Sequence, residues 1–175
     1  MAVIRAPRST TALAAGAEGT ANDKVFFDTS VLLAGLIDFG ESSLAPVELL
    51  DRVARGEIAG PLTAWHCCLE LFSVATRLPE EYRLTPHDAH LLVAEEILAR
   101  FAVLDLPREQ RAPLFAEAMA DGVAGGRIYD AEIGAVAVAA GTAILVTGNR
   151  RHFVPLLRRG LRVLTAEELL AELNL

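Results

Sequence analysis

The sequence predicts an α/β fold: a central parallel sheet of about five strands flanked by helices in three layers, α/β/α. Three observations predict it. Short strand-like apolar runs alternate with longer segments of helical periodicity along most of the chain. Strands separated by helices call for parallel pairing through crossovers. The chain has 175 residues, 53% of them hydrophobic, with no internal repeat and no linker, which suits one domain with a sizeable core.

The elements follow in order. "KVFFD" (24–28) reads as a buried strand and "TSVLLAGLID" (29–38) as a short helix. "SSLAPVELLDRVARGE" (42–57) has a Ser cap, an early Pro and apolar residues at helical spacing. "IAGPLT" (58–63) is a short strand, and "AWHCCLELFSVATRL" (64–78) a helix. "TPHDAHLLVAEEILARF" (85–101) is a helix opened by Thr85 and Pro86. "AVLDL" (102–106) is a strand, and "PREQRAPLFAEAMADG" (107–122) a helix with Pro at its start and Gly122 past its end. "YDAEIGAVAVAAG" (129–141) is a helix, "AILVT" (143–147) a strand and "NRRHFVPLLRRG" (149–160) a short helix or turn. "LRVLT" (161–165) is the last strand and "AEELLAELNL" (166–175) the last helix.

Residues 1–22 are rich in Ala, Ser, Thr and Gly and lack a long apolar core. They read as a disordered extension ahead of a domain at 23–175. The net charge of −7 argues against a general nucleic-acid coat, though not against a local site. The adjacent Cys67 and Cys68 cannot form an unstrained disulfide and read as buried apolar residues of a reducing compartment, the cytoplasm. The longest apolar stretch, 133–146, is shorter than the roughly 18–20 residues of a membrane span, so no membrane segment is expected.

In open parallel sheets, ligands bind at the carboxyl ends of the strands. Asp28 ends the first strand, and Thr147 ends a late one with Asn149 just beyond. Asp130 follows a Gly-Gly loop at a helix start. Glu70 lies among Leu69, Leu71, Phe72 and Val74, and an acid on such a face needs a partner or a metal. Each residue alone has a plainer use. Asp28 or Asp130 could cap a helix, Asn149 could make a turn, and Glu70 could pair with Arg77. Together they form a less easily dismissed pattern: a strand-end Asp, a mid-helix Glu, a helix-start Asp and a Thr-x-Asn after a late strand.

This pattern resembles the PIN-domain nucleases over nearly all of 25–175. "FFDTSVLLAG" resembles the family's opening strand with its Asp-Thr-Ser, and "LELFSVATRL" its helix with a single Glu. "YDAEIGAVAVAAGTAILVTGNRRHF" resembles its closing signature. Length and order are similar to the VapC-like toxins of toxin–antitoxin pairs. The resemblance implies a PIN-like fold and an acidic pocket for Mg²⁺ or Mn²⁺, with Asp28, Glu70 and Asp130 as metal ligands and, together with Asn149, as the catalytic residues. Asn149 falls where many members carry a fourth Asp, which removes one charge from the site. Ser30 and Thr147 would support the pocket by hydrogen bonding. Arg127, Arg150 and Arg151 would stand on the same edge, where they could position phosphate.

The implied activity is endoribonucleolytic. A metal-activated water would attack the phosphodiester and leave 5′-phosphate and 3′-hydroxyl ends. No protein nucleophile stands out: His66, His87, His90 and His152 are scattered, and His152 reads as a surface or structural residue. Expected partners are an RNA substrate, an antitoxin that offers an Arg to the carboxylates, and a second copy of the chain. The early helices "VLLAGLID" and "PVELLDRVA" are candidate dimer surfaces. The alternative is a PIN-like domain that binds RNA or protein without cutting. Phosphatases and receivers with a first-strand Asp also need a late lysine, but the single lysine, Lys24, opens the first strand. P-loop and dinucleotide motifs are absent.

Overall fold

A computed structural model describes residues 24–174 of the chain; residues 1–22, read above as an extension, lie outside the described residues. Five strands form one sheet: β1 (Val25–Phe27), β2 (Leu62–Ala64), β3 (Ala102–Leu104), β4 (Ile144–Val146) and β5 (Arg162–Leu164). Their order is β3-β2-β1-β4-β5, and every pairing is parallel. The helices are α1 (Thr29–Leu36), α2 (Leu44–Ala54), α3 (Trp65–Ala75), α4 (Pro86–Leu92), α5 (Arg111–Ala120), α6 (Arg127–Ala139), α7 (Val154–Leu157) and α8 (Ala166–Leu173). The strand order reverses at β1. Right-handed crossovers therefore lay the β1-to-β3 helices on one face and the β3-to-β5 helices on the other.

The expected fold class is the observed one. Strands β1, β2 and β4 are buried at every position, with Phe26, Phe27, Leu145 and Val146 fully enclosed. Phe27 meets Phe101 edge to face at 5.3 Å, a favoured aromatic geometry. Cys67 and Cys68 are free and buried, and burial pushes their thiols up to about 12 and about 11.

Several boundaries shift for local reasons. The strand expected at 58–63 is confined to Leu62–Ala64, because Gly60 has φ +56° and Pro61 follows it. The helix expected from Ser42 begins as a 3₁₀ turn over Gly40–Ser43. The long helix after Thr85 widens into a π-helical turn over Val93–Leu98. Helix α6 starts at Arg127, so Asp130 sits inside its first turn and does not cap it.

The early helices do not offer the apolar surfaces expected of them. Val31, Leu32 and Leu36 of α1 and Leu49, Leu50 and Val53 of α2 are all in the core. The two helices approach so closely at Gly35 that an added Cβ would lie 2.9 Å from the Pro46 carbonyl oxygen. Leu44, at the start of α2, is exposed, and a longer row of exposed apolar side chains, Trp65, Leu69 and Phe72, runs along α3.

Candidate active site

The site is built from the register of the two central strands. β1 and β4 pair in step, Phe27 opposite Val146, so the next residues, Asp28 and Thr147, leave the sheet side by side. The Asp28 N–H extends the ladder to the Val146 carbonyl at 3.0 Å. This is the point where the strand order reverses, and there the crossover helices diverge and leave a crevice.

Asp28 is 4% exposed, so its carboxylate has lost most of its water. Two hydroxyls replace that water at one oxygen. Ser30 Oγ donates to Oδ2 at 2.6 Å and Thr147 Oγ1 at 2.8 Å. The hydroxyls are in turn held by backbone: Gly148 N–H donates to Ser30 Oγ and Asn149 N–H to Thr147 Oγ1, each at 2.9 Å. Burial pushes the Asp28 carboxyl above its ordinary value. The two hydroxyl bonds pull it back in part, and the charge of Glu70 adds to the rise.

Helix α3 follows β2 directly and brings Glu70 to the same edge on its second turn. Thr29 Oγ1 donates to Glu70 Oε2 at 2.6 Å. Successive hydroxyls of the Asp-Thr-Ser segment thus hold two different carboxylates. Ser30 folds back on Asp28, and Thr29 reaches across to α3. The surroundings of Glu70 differ from the expected buried face: Leu69 and Phe72 are exposed, and Glu70 itself is half-buried. Arg77 is not its partner, since its Nε donates to the Ser73 carbonyl.

Asp130 comes from the first turn of α6, where an acid is favoured by the helix dipole. His152, from the 3₁₀ turn Arg150–Phe153, brings Nδ1 to 3.1 Å from Asp130 Oδ2. The pair is close but off-line for an N–H bond. Burial raises the Asp130 carboxyl. The neighbouring His152 and Arg127 oppose the rise, and Glu70 adds to it. Glu70 therefore acts electrostatically on both aspartates, which places the three acids in one field.

Other expected members stand apart. Asn149 is exposed, and its hydrogen bond into the site runs through its backbone. The Arg150 guanidinium is paired with Glu168 of α8 at 2.6 Å, turned to that helix and away from the acids. Among the described residues, no three His, Cys, Asp or Glu side chains close into a ready metal cage. The donor set nonetheless suits a hard cation that keeps several waters: carboxylate oxygens from three elements, with hydroxyls behind two of them. Thr29 is a contributor that the sequence reading did not single out, though it stands in the Asp-Thr-Ser run itself. His152, read from the sequence as a surface or structural residue, is brought beside Asp130 by the turn after β4.

A PIN-domain profile matches residues 24–151 of the chain. Ribonuclease VapC40 of Mycobacterium tuberculosis is 34% identical over 123 residues, covering 70% of this chain and 85% of that protein. Two solved structures share the fold. PAE2754 from Pyrobaculum aerophilum superposes with a TM-score of 0.58 at 22% identity, over 87% of this chain and 97% of that one. DNA-bound VapBC from Salmonella typhimurium gives 0.54 at 23% identity, over 82% and 98%. The strand-end aspartate, the α3 glutamate and the aspartate opening α6 lie within the matched region, and the chain belongs to the PIN-domain family.

Proposed function

We propose that the protein is a Mg²⁺- or Mn²⁺-dependent endoribonuclease and the toxin of a toxin–antitoxin pair. The observation that supports this most is the shared field of Asp28, Glu70 and Asp130 at the sheet's reversal point. Such mutual repulsion is costly in an empty site and is relieved by a dication. A relative named a ribonuclease agrees with the reading. When bound, the cation supplies a water of lowered pKa and offsets charge at the reacting phosphate.

The chain's own residues do the rest. Asp28, Glu70 and Asp130 would hold the cation. Ser30 and Thr147 fix the Asp28 carboxylate in one orientation, and Thr29 fixes Glu70. His152 brings Nδ1 to 3.1 Å from Asp130 Oδ2 and so stands beside that carboxylate. Arg127, at the start of α6, is placed to meet a substrate phosphate and to temper the Asp130 charge.

The test is cleavage of unstructured RNA with Mg²⁺ or Mn²⁺ and with chelator. The wild type should cut only with metal. Asp28→Asn should stay folded and lose at least about a hundredfold in rate, the scale of a lost electrostatic contact in a dry site. Undiminished cleavage by well-folded Asp28→Asn protein would overturn the site assignment.

A second reading, RNA or protein binding without cutting, is favoured by the neutral, exposed Asn149 and the open ligand arrangement. RNA binding with no cleavage in either metal would select it. The partners that accompany the main reading are an antitoxin, whose Arg enters the acidic crevice, and a second copy of the chain, all in the cytoplasm. Two solved structures that share the fold, from Rickettsia felis and Salmonella typhimurium, are VapBC assemblies. Toxicity on expression, relieved by a co-expressed neighbouring gene product, checks the antitoxin.

A further inference from the structure

A cavity of about 340 Å³ opens between α5 and α6, outside the acidic crevice, with Asp105, Arg111, Phe115, Tyr129 and Glu132 in its wall. That volume is at the small end of ligand pockets. Asp105 lies one residue past β3, so the cavity opens on the same carboxyl edge of the sheet as the three acids. Tyr129 and Asp130 are consecutive on α6. His66 precedes Glu70 by one turn of α3, which puts their Cβ atoms about 6 Å apart.

The aromatic wall is prepared for a flat ligand. His66 stacks on Tyr129 with ring centroids 4.8 Å apart and planes 19° from parallel. Glu132 Oε2 lies 3.4 Å from His66 Nδ1 and steadies the stack from the next turn of α6. One face of Tyr129 is thereby occupied, and the remainder of the ring serves the cavity. Tyr129 is 52% exposed and Phe115 66% exposed, large apolar rings that the fold itself leaves uncovered. A stacking ring held in advance loses little freedom on binding.

We propose that this cavity is a nucleobase pocket beside the cleavage site, and that it prefers guanine in single-stranded RNA. The inference rests on the nuclease reading above. Bases of single-stranded RNA are recognised by stacking on aromatic rings and by hydrogen bonds to their edges. The two carboxylates of the wall, Asp105 and Glu132, repel phosphate but accept N–H groups. Guanine presents N1–H and N2–H₂ side by side and can donate both to one carboxylate. Adenine and cytosine offer only an amino group there, and uracil only N3–H. Arg111 anchors its Nε on the Leu106 carbonyl at 3.4 Å, which leaves the exposed guanidinium end to meet the flanking phosphate.

The test is equilibrium binding of labelled RNA pentamers, all uridine or with one central guanosine, to the full chain carrying Asp28→Asn. The guanosine pentamer should bind about tenfold tighter than the uridine one. Tyr129→Ala should weaken both by about tenfold, the scale of one lost base stack, and Tyr129→Phe should retain binding. Asp105→Asn, which spares the Glu132–His66 contact, should erase most of the guanosine preference. Phe115→Ala, at a highly exposed position, serves if Tyr129→Ala does not fold. Equal affinities for the two pentamers, or binding indifferent to both ring deletions, would overturn the pocket. So would protection of the cavity by a protein partner alone. The two readings fail differently. Ring-dependent binding without metal-dependent cleavage by the wild type removes the nuclease, whereas cleavage with ring-independent binding removes the pocket.

Discussion

Asp28 is a carboxylate with little water, held by two hydroxyls and facing a second acid. Its pKa in the fold lies above the ordinary 3.8, chiefly through burial. The folded state therefore binds the extra proton between the ordinary value and the raised one. Stability falls as pH rises through that window and stays lowered above it. Asp130 has the same sign. Glu48, lowered by Arg52, and Glu57, lowered by Arg55, run the opposite way, but they sit in screened water. Without metal at pH 7, Asp28→Asn should melt a few degrees above the wild type, at about 2–4 °C per kcal/mol. The gap should close toward pH 4. Added Mn²⁺ should raise the wild-type melting temperature more than the variant's, since a ligand of the folded state stabilises by mass action. A variant that melts below the wild type at pH 7 would contradict the account of Asp28 as a site charged at the fold's expense. Asn149 tests the same charge from the other side. If its side chain can swing to the crevice, Asn149→Asp should tighten Mn²⁺ binding in calorimetric titration and lower the metal-free melting temperature. Unchanged affinity would leave a three-acid site.

The elements place these residues through two close approaches. In-step pairing of β1 and β4 sets Asp28 beside Thr147, and the N-terminus of α1 begins at the next residue. Helix α1 is in turn seated on α2 at Gly35, where an added Cβ would be 2.5 Å from Leu50 Cδ1 and 2.9 Å from backbone oxygen. Leu50 could turn aside, but the carbonyl cannot without moving a helix. Ala raises helix propensity by up to about 1 kcal/mol, yet overpacking of this kind costs about 1–3 kcal/mol. Gly35→Ala should therefore lower the unfolding free energy in urea and also slow cleavage, because α1 carries Thr29 and Ser30 into the site. A stabilised and fully active variant would show that the helix pair yields freely.

On the scale of the whole molecule, the surface is uneven. Trp65, Leu69 and Phe72 recur at positions i, i+4 and i+7 of α3 with 44%, 53% and 38% exposure. Leu91 and Leu98, on the segment packed beside α3, are exposed as well. This stripe replaces the early helices as the expected contact between two copies. Leu69→Glu with Phe72→Glu should convert a dimer to a monomer in sedimentation and shift the fluorescence of Trp65, the single tryptophan. A wild type that sediments as a monomer at high concentration would remove the dimer.

The sequence by itself determined the alternation of strands and helices, and hence the parallel sheet. That pattern rests on local periodicity and crossover geometry, which any short window carries. It also supplied Asp28, Glu70 and Asp130 as candidates, because an acid at a strand end, within an apolar helix or at a helix start stands out against apolar runs. It could not set which hydroxyl serves which acid. Thr29 and Ser30 are neighbours in the chain, yet their side chains leave the first turn of α1 in different directions, one to Glu70 and one to Asp28. It could not show that Arg150 is taken by Glu168, that His152 meets Asp130, or that the early helices spend their apolar faces on the core. Those outcomes are contacts between residues far apart in the chain. They depend on strand order and helix seating, and only the assembled tertiary structure decides them.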